Sequence, residues 1–408
     1  MMTRGNGAHR VEPAEAGKGE DRYYIGTRSR HNTSLQRLLD TDTGTVKTTR
    51  PAPAGRGTTA KQGNAHRMKR AFVFPGQGSQ FVGMGMALAA AFAPAQRLFE
   101  EVDDALSQDL SRLMFEGPQS DLTLTENAQP ALMAVSLAVI RVLEEEDGFS
   151  PARDLGFVAG HSLGEYSALA AAGALSVADA ARLLKLRGQA MQRAVPVGEG
   201  AMAALLGVDV GQAQVIARKA TRGENGSSEV CAIANDNAPG QVVISGHCRA
   251  VERAVAIARA HGARRSIKLP VSAPFHSALM APAARVMEEA LDRAALNPPG
   301  VPLVANVSAA ATSEPRKIKR GLVEQVTAMV RWRESVLFLK SAGVEEIVEI
   351  GAGHVLAGLV KRVDPEISVC SLGTPPEFEA FMKRLSVLPR VARSEDNRLG
   401  SSCARRGG

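Results

Sequence analysis

The sequence has few aromatic residues: one Trp, three Tyr and 12 Phe in 408 residues. It also lacks a central basic stripe with interleaved aromatics, the pattern typical of nucleic-acid-binding surfaces. The net charge of +7 comes from the two ends of the chain. Residues 1–67 hold 12 Lys and Arg against six Asp and Glu, and residues 390–408 hold five against two, which leaves −2 between them. The composition therefore predicts no nucleic-acid partner for the central part.

Cysteine is also scarce. The four cysteines have neither CxxC spacing nor a Cys/His pattern suited to a metal, and they are Cys231, Cys248, Cys370 and Cys403. This excludes a zinc framework and a disulfide-stapled fold, and it is typical of a reducing compartment. We therefore expect a cytoplasmic protein without a metal site.

Long apolar runs are missing as well. The chain does not begin with the apolar core of a secretory signal, and no run reaches the roughly 20 apolar residues that span a bilayer. No membrane association is expected. Residues 1–67 and 390–408 lack periodic apolar residues, so we predict a disordered leader and a disordered tail. Alternatively, "MKRAFVFPG" at Met68 marks the original start, and the leader is not part of the native protein.

Between these ends, strand and helix patterns alternate, which predicts an α/β fold with a mainly parallel sheet. Predicted strands include 71–74, 157–159, 302–307, 345–351 and 367–373, and a long helix is predicted over 127–144. Residues 200–269 instead follow the order β-α-β-β-α-β, which is typical of a ferredoxin-like unit. We predict a core formed by residues 68–199 and 270–389, with residues 200–269 inserted as a small subdomain.

The stretch "FVAGHSLGEYSALAAAG" places Ser162 between two glycines, after a short strand and before a helix. G-x-S-x-G in this context predicts a nucleophile elbow, in which the serine hydroxyl lies at the top of the sheet. The main-chain N–H of Leu163 would then face the same space and could stabilise an oxyanion. A serine in an ordinary glycine-rich bend is the alternative.

A nucleophilic serine needs a base, and two of the eight histidines are candidates. His276, in "PFHSALM", lies in a loop directly after the predicted subdomain. His354, in "GAGHVLAG", begins a helix, and the pattern favours His276 over it only slightly. No acidic residue stands out as a third member of a triad.

Arg187 lies on an apolar face of the helix predicted from Ser176 to Arg193, with Leu183, Leu184 and Met191 around it. Such an arginine either extends to solvent or pairs with an anion. Near a nucleophile elbow, the second alternative indicates bidentate binding of a substrate carboxylate.

The motifs "FVFPGQGSQ", "QPAL", "GHSLGEYSALAAAGALS", "LRGQAMQ", "NAPGQVVISG", "PFHSALM" and "EIGAG" occur in this order. Together they closely resemble the malonyl-CoA:acyl carrier protein transacylases, over about residues 70–375. The resemblance implies a hydrolase-like α/β core with an inserted ferredoxin-like subdomain. It implies that Ser162 is the acylated nucleophile and His276 the base, with the Gln77 and Leu163 amides as the oxyanion hole.

The same resemblance implies that Arg187 binds the malonyl carboxylate, and that a main-chain carbonyl, at Gln325, orients the histidine in place of a triad acid. Gln129 would line the pocket, and Asn235 and Asn237 would approach the CoA moiety. The implied reaction transfers malonyl from malonyl-CoA to acyl carrier protein and needs no cofactor. A monomer is expected.

Two alternative functions are a serine hydrolase on a similar fold and a non-catalytic protein that binds acidic partners through its basic ends.

Overall fold

The computed structural model describes residues 68–223, 226–271 and 273–387, with the side chains of residues 385–387 excepted. The predicted disorder of residues 1–67 and 390–408 therefore lies outside the described residues. Both sheets described below lie within this part of the chain. The exact bounds of the core and of the subdomain remain a prediction.

Within the described residues, ten strands form two sheets. In chain order they are β1 (Arg70–Phe74), β2 (Phe157–Gly160), β3 (Gly200–Leu206), β4 (Cys231–Ala238), β5 (Gln241–His247), β6 (Arg265–Lys268), β7 (Leu303–Ala305), β8 (Ala310–Thr312), β9 (Glu346–Ile350) and β10 (Ser368–Leu372).

The helices lie between these strands and after the last one. They are α1 (Met86–Ala91), α2 (Ala93–Leu106), α3 (Leu110–Glu116), α4 (Gln119–Thr123), α5 (Thr125–Asp147), α6 (Pro151–Asp154), α7 (Gly164–Ala171), α8 (Val177–Ala194), α9 (Val210–Ala220), α10 (Cys248–Ala260), α11 (Ala281–Arg293), α12 (Pro315–Gln325), α13 (Trp332–Ser341), α14 (Val355–Val363) and α15 (Pro375–Val387), with a 3₁₀ turn at Ala278–Met280.

The larger sheet has the strand order β10-β9-β1-β2-β7-β8, and every pair is parallel except β7 with β8. Side chains alternate across β1, so that Phe72 and Phe74 pack with α5 and α8 on one face of the sheet. Ala71 and Val73 pack with α13 and α14 on the other face. Helices therefore cover both faces, which confirms the α/β prediction and leaves the carboxyl ends of the strands as the place where loops converge.

The smaller sheet has the order β4-β5-β3-β6, and all its pairs are antiparallel. Together with α9 and α10, this gives the predicted β-α-β-β-α-β unit. The unit is joined to the rest of the chain through β4, because the Val330 amide donates to Ala234 and the Asp236 amide donates to Val330. The end of β4 is thereby held beside the larger sheet.

The strand predicted over 302–307 is shorter than expected. It ends at Ala305, the chain turns through Ala309 at a φ of 51°, and it returns as β8. The run after Asn306 consists of small residues with no buried alternation, so the sequence carried no signal for this hairpin. The long helix α5 begins at Thr125, two residues before its predicted start. No helix within the described ranges combines the length and apolar composition needed to cross a bilayer.

Candidate active site

Ser162 lies on a sharp turn between β2 and α7, as the G-x-S-x-G pattern predicts. Its φ of 55° is uncommon for a residue with a side chain, and it is typical of strained functional turns. A Cβ added to Gly160 would lie 1.9 Å from the main-chain carbon of Gly164. Only glycine at position 160 therefore allows the strand end and the helix start to approach this closely.

Asn306, directly after β7, holds this turn from the neighbouring strand. Its Oδ1 accepts a hydrogen bond from the Ser162 amide at 2.8 Å, and its Nδ2 donates to the Gly160 carbonyl at 2.6 Å. The residue is fully buried. We did not predict it from the sequence, where the only signal was a polar residue following a strand at the carboxyl edge of the sheet.

His276 contacts the serine hydroxyl directly. The His276 Nε2 lies 2.8 Å from the Ser162 Oγ, and the His276 Nδ1 lies 2.8 Å from the main-chain oxygen of Gln325. A carbonyl oxygen can only accept, so Nδ1 carries the proton and Nε2 accepts from the serine hydroxyl. Burial, and secondarily the charge of Arg187, lower the His276 pKa to about 3. The imidazole is therefore neutral at physiological pH and able to take a proton.

The structure separates the two histidines that the sequence left as candidates. The His354 side chain is 68% exposed, immediately precedes α14, and lies 3.6 Å from a Glu377 carboxylate oxygen. His161, the neighbour of Ser162, points away to Asn237, with 2.9 Å between Nε2 and Oδ1. Among the described histidines, only His276 forms a hydrogen bond with the serine.

Arg187 does not extend to solvent, because only 1% of it is exposed. Its Nη1 donates to Gln129 Oε1 at 2.7 Å, and its Nη2 donates to Gln325 Oε1 at 2.9 Å and to Ser162 Oγ at 3.1 Å. Its Nε has no acceptor, and no described carboxylate forms an ion pair with the guanidinium. Burial lowers its pKa from the usual value. The site therefore contains a desolvated cation held only by neutral acceptors.

A close contact between α5 and α8 places Arg187 beside Gln129. A Cβ added to Gly188 would lie 2.5 Å from the Cα of Glu126, so glycine at this position lets the two helix backbones meet. The helix α8 begins as predicted, with the Ser176 hydroxyl accepting from the Asp179 amide.

The two candidate oxyanion-hole residues emerge at one edge of the larger sheet. Phe74 at the end of β1 pairs with Gly160 at the end of β2, so the turns that carry Gln77 and Leu163 leave the sheet side by side. Neither main-chain N–H has a hydrogen-bond acceptor among the described residues. Both amides are therefore available to a ligand.

Asn235 and Asn237 lie at the end of β4 and are both buried. Asn235 forms a bridge with Val330, and the Asn237 side chain contacts His161 rather than open space. Their predicted approach to CoA stays a prediction.

Glu165, in the first turn of α7, is a buried acid that we did not predict as part of the site. Its Oε1 accepts from the Asn306 amide at 2.7 Å, and its Oε2 accepts from the Gln325 Nε2. Within the described residues it forms no hydrogen bond with His276, and the imidazole is instead oriented by the Gln325 carbonyl. The site is thus a Ser-His pair with a main-chain carbonyl where a hydrolase triad has an acid.

Comparison with known proteins gives consistent matches over the central part of the chain. Residues 71–396 match the acyl transferase domain family. A malonyl CoA-acyl carrier protein transacylase of Bacillus subtilis (strain 168) is 47% identical over 317 residues, which are 78% of this chain and 97% of that protein.

Solved structures also match most of this chain. An acyl-carrier-protein S-malonyltransferase from Bartonella henselae is 54% identical, has a TM-score of 0.75, and is matched over 78% of this chain and 100% of its own. A malonyl-transacylase in complex with its type II PKS acyl-carrier protein is 40% identical, has a TM-score of 0.74, and is matched over 78% and 99%. Residues 71–396, which match the acyl transferase domain family, include every candidate site residue.

Proposed function

The chain belongs to the acyl transferase domain family, among the malonyl-CoA:acyl carrier protein transacylases, and we propose that the malonyl group passes through an ester on Ser162. The enzyme is an acyltransferase that moves malonyl from malonyl-CoA to acyl carrier protein for fatty-acid synthesis. The observation that carries the proposed mechanism is the buried Arg187 guanidinium, which lies 3.1 Å from the Ser162 hydroxyl and forms no ion pair with a described carboxylate.

The first half-reaction forms the acyl-enzyme. The Ser162 hydroxyl gives its proton to His276 Nε2 while its oxygen attacks the thioester carbonyl carbon of malonyl-CoA. The negative charge that develops on the carbonyl oxygen is stabilised by the amides of Gln77 and Leu163. The carbon–sulfur bond then breaks, and His276 returns the proton to the CoA sulfur. The products are malonyl-Ser162 and CoA.

The second half-reaction reverses these roles. The phosphopantetheine thiol of the carrier protein gives its proton to His276, and its sulfur attacks the ester carbonyl. The carbon–oxygen bond to Ser162 breaks, and the proton returns to the serine oxygen. No oxidant, metal or cofactor takes part, because the CoA thioester supplies the activated acyl group.

Arg187 has two effects in this mechanism. Its guanidinium binds the malonyl carboxylate in a bidentate geometry. Gln129 positions the guanidinium by accepting a hydrogen bond from its Nη1. Its charge is also one cause of the low His276 pKa, so pairing it with a carboxylate would raise the basicity of the imidazole. Acyl groups with a carboxylate therefore both bind and favour proton transfer.

The proposal also covers the compartment, the oligomeric state and the partners of the enzyme. We infer a cytoplasmic enzyme, since the three described cysteines, Cys231, Cys248 and Cys370, are free. It acts as a monomer and needs neither nucleic acid nor a membrane. Asn235 and Asn237 contribute to the CoA side of the pocket through the end of β4.

The fate of malonyl-CoA separates this function from serine hydrolysis. With phosphopantetheinylated carrier protein present, we expect malonyl to appear on the carrier. Without it, we expect only a slow release of free malonate. Rapid release of malonate that is independent of the carrier would assign the site to a hydrolase instead. The orientation of His276 by a carbonyl rather than an acid supports transfer.

The assignment of the base gives a further prediction. His276→Ala should slow acylation of the enzyme by roughly 10²–10⁴-fold, because a positioned general base contributes on that scale. His354→Ala, at an exposed position outside the site, is the matched control and should acylate at the wild-type rate. Stopped-flow measurement of CoA release compares the two. Equal losses in both variants would contradict the assignment of His276.

A further inference from the structure

Glu165 is a buried carboxylic acid three residues after the nucleophile, and the mechanism above does not use it. It is 2% exposed, and no described cation forms an ion pair with it. Its two oxygens have separate partners: the Asn306 amide at 2.7 Å and the Gln325 side-chain nitrogen. A buried ionisable group with such specific partners requires an explanation beyond solubility or packing.

The Gln325 side chain lies between two groups of opposite hydrogen-bonding character. Its Oε1 accepts from the Arg187 guanidinium, which can only donate, at 2.9 Å. Its Nε2 donates to the Glu165 carboxyl group, which in its ionised form can only accept, and to the Ser162 carbonyl at 2.9 Å. A flipped amide would place nitrogen against the guanidinium and oxygen against the carboxylate. Together, Glu165 and Arg187 permit only one orientation of this amide.

Gln325 also contacts the rest of the site. Its main-chain oxygen accepts from His276, and its side chain touches both Arg187 and the main chain of Ser162. We propose that Glu165 is a positioning residue that fixes the Gln325 amide and, through it, the placement of Arg187 relative to Ser162 and His276. This inference rests on the proposed function, since it concerns how that same site is held ready for a malonyl group.

A purely structural role for Glu165 can be measured separately, because the fold contains other buried acids, and one of them, Glu349, lies outside the site. Glu349 accepts from the Leu356 and Ala357 amides at 3.0 and 2.8 Å and thereby caps α14. In the described part of the chain, no hydrogen bond or ion pair joins it to Ser162, Arg187 or Gln325. Glu349→Gln is therefore a matched control for Glu165→Gln, with the same chemical change at an equally buried position outside the site.

Protonation should disturb the amide in the same way as the substitution. Burial raises the Glu165 pKa to about 7. A proton on Oε2 would turn an acceptor into a donor that faces the Gln325 N–H group. The surrounding titratable groups keep their form between pH 7 and 8, and they are Arg187, Tyr166 with a pKa raised to about 12, His276 with a pKa of about 3, and His161 with a lowered pKa. Glu165 is thus the group of this cluster that titrates near neutrality.

The test measures kcat/KM for malonyl-CoA from pH 6 to 8, with thermal unfolding of each variant as the measure of stability. We expect Glu165→Gln to lower kcat/KM on the order of 10²-fold at pH 8, the cost of a misplaced reacting group. In the wild type, kcat/KM should decline as the pH falls through about 7, where Glu165 takes up a proton. Glu165→Gln should lack this decline. Glu349→Gln should keep both the wild-type rate and that decline, whatever its change in Tm. Equal kinetic losses in the two variants, or a wild-type pH profile in Glu165→Gln, would overturn the proposal.

Gln325→Ala provides a second test that does not depend on the folding of Glu165→Gln. It keeps the main-chain carbonyl that holds His276 but removes the amide. We expect a comparable loss in kcat/KM, and we expect Glu165→Gln to add little in the Gln325→Ala background, because its effect passes through that amide. The proposal would be contradicted if the losses in kcat/KM of the two single variants added fully in the double variant. A wild-type rate in Gln325→Ala would contradict it as well. Lack of malonyl transfer by the wild type would instead refute the proposed function itself.

Discussion

Ser162→Ala should abolish malonyl transfer to carrier protein, with a loss in kcat on the order of 10⁶-fold, the scale seen when a serine nucleophile is removed. The loss should be this large because both half-reactions pass through the Ser162 oxygen. The measurement is steady-state transfer from malonyl-CoA to carrier protein, with Tm as the check on folding. Ser167→Ala is a matched control, since Ser167 is also buried in this region but its hydroxyl has no hydrogen-bond partner in the described structure.

A Ser162→Ala protein that transfers malonyl at the wild-type rate would remove the serine from the mechanism. Transfer would then have to be direct, from the CoA thioester to the carrier thiol, with the elbow serving only as a structural turn.

Arg187→Ala should lose malonyl transfer and keep acetyl transfer. Loss of one partner of a buried charge pair costs about 2–5 kcal/mol, so kcat/KM for malonyl-CoA should fall between about 30-fold and about 5,000-fold. Acetyl-CoA offers no carboxylate, and in the wild type it leaves the desolvated guanidinium without an anion. The substitution removes that penalty together with the attraction for malonyl. Acetyl transfer should therefore stay level or rise.

Acetyl-CoA is the internal control of this experiment, because damage to the fold would lower both rates. Arg187→Lys adds a second comparison: it keeps the charge but not the bidentate geometry, and it should lie between wild type and Arg187→Ala for malonyl. Equal losses for both thioesters in Arg187→Ala would mean that Arg187 supports the fold, through Gln129 and Gln325, without selecting the acyl group.

Local patterns predicted much of the fold and part of the site. The elbow could be predicted because the glycines and the strand–turn–helix order lie within a few residues of Ser162. The helix that carries Arg187 could be predicted from its capping serine and its apolar face. The β-α-β-β-α-β unit followed from the alternation of short strands and helices in one continuous segment. In each case the residues that form the sequence pattern are the same residues that form the predicted element.

The remaining features depend on contacts between distant residues. Asn306 reaches Ser162 across 144 residues, and Gln325 reaches Glu165 across 160. The choice between His276 and His354 depended on which loop folds over the nucleophile elbow, and neither local pattern determines that. Local patterns do not contain such contacts, which form only when the strands are placed side by side, and the family resemblance implied His276 and Gln325 but not Asn306 or Glu165.

The central claim, that the malonyl group passes through Ser162, is tested most directly by intact-protein mass after the wild-type enzyme is mixed with malonyl-CoA alone. The account predicts a mass increase of one malonyl group, located on Ser162 by peptide mapping and lost when carrier protein is added. An unmodified protein under conditions of active transfer, or a malonyl group on a residue other than Ser162, would contradict it.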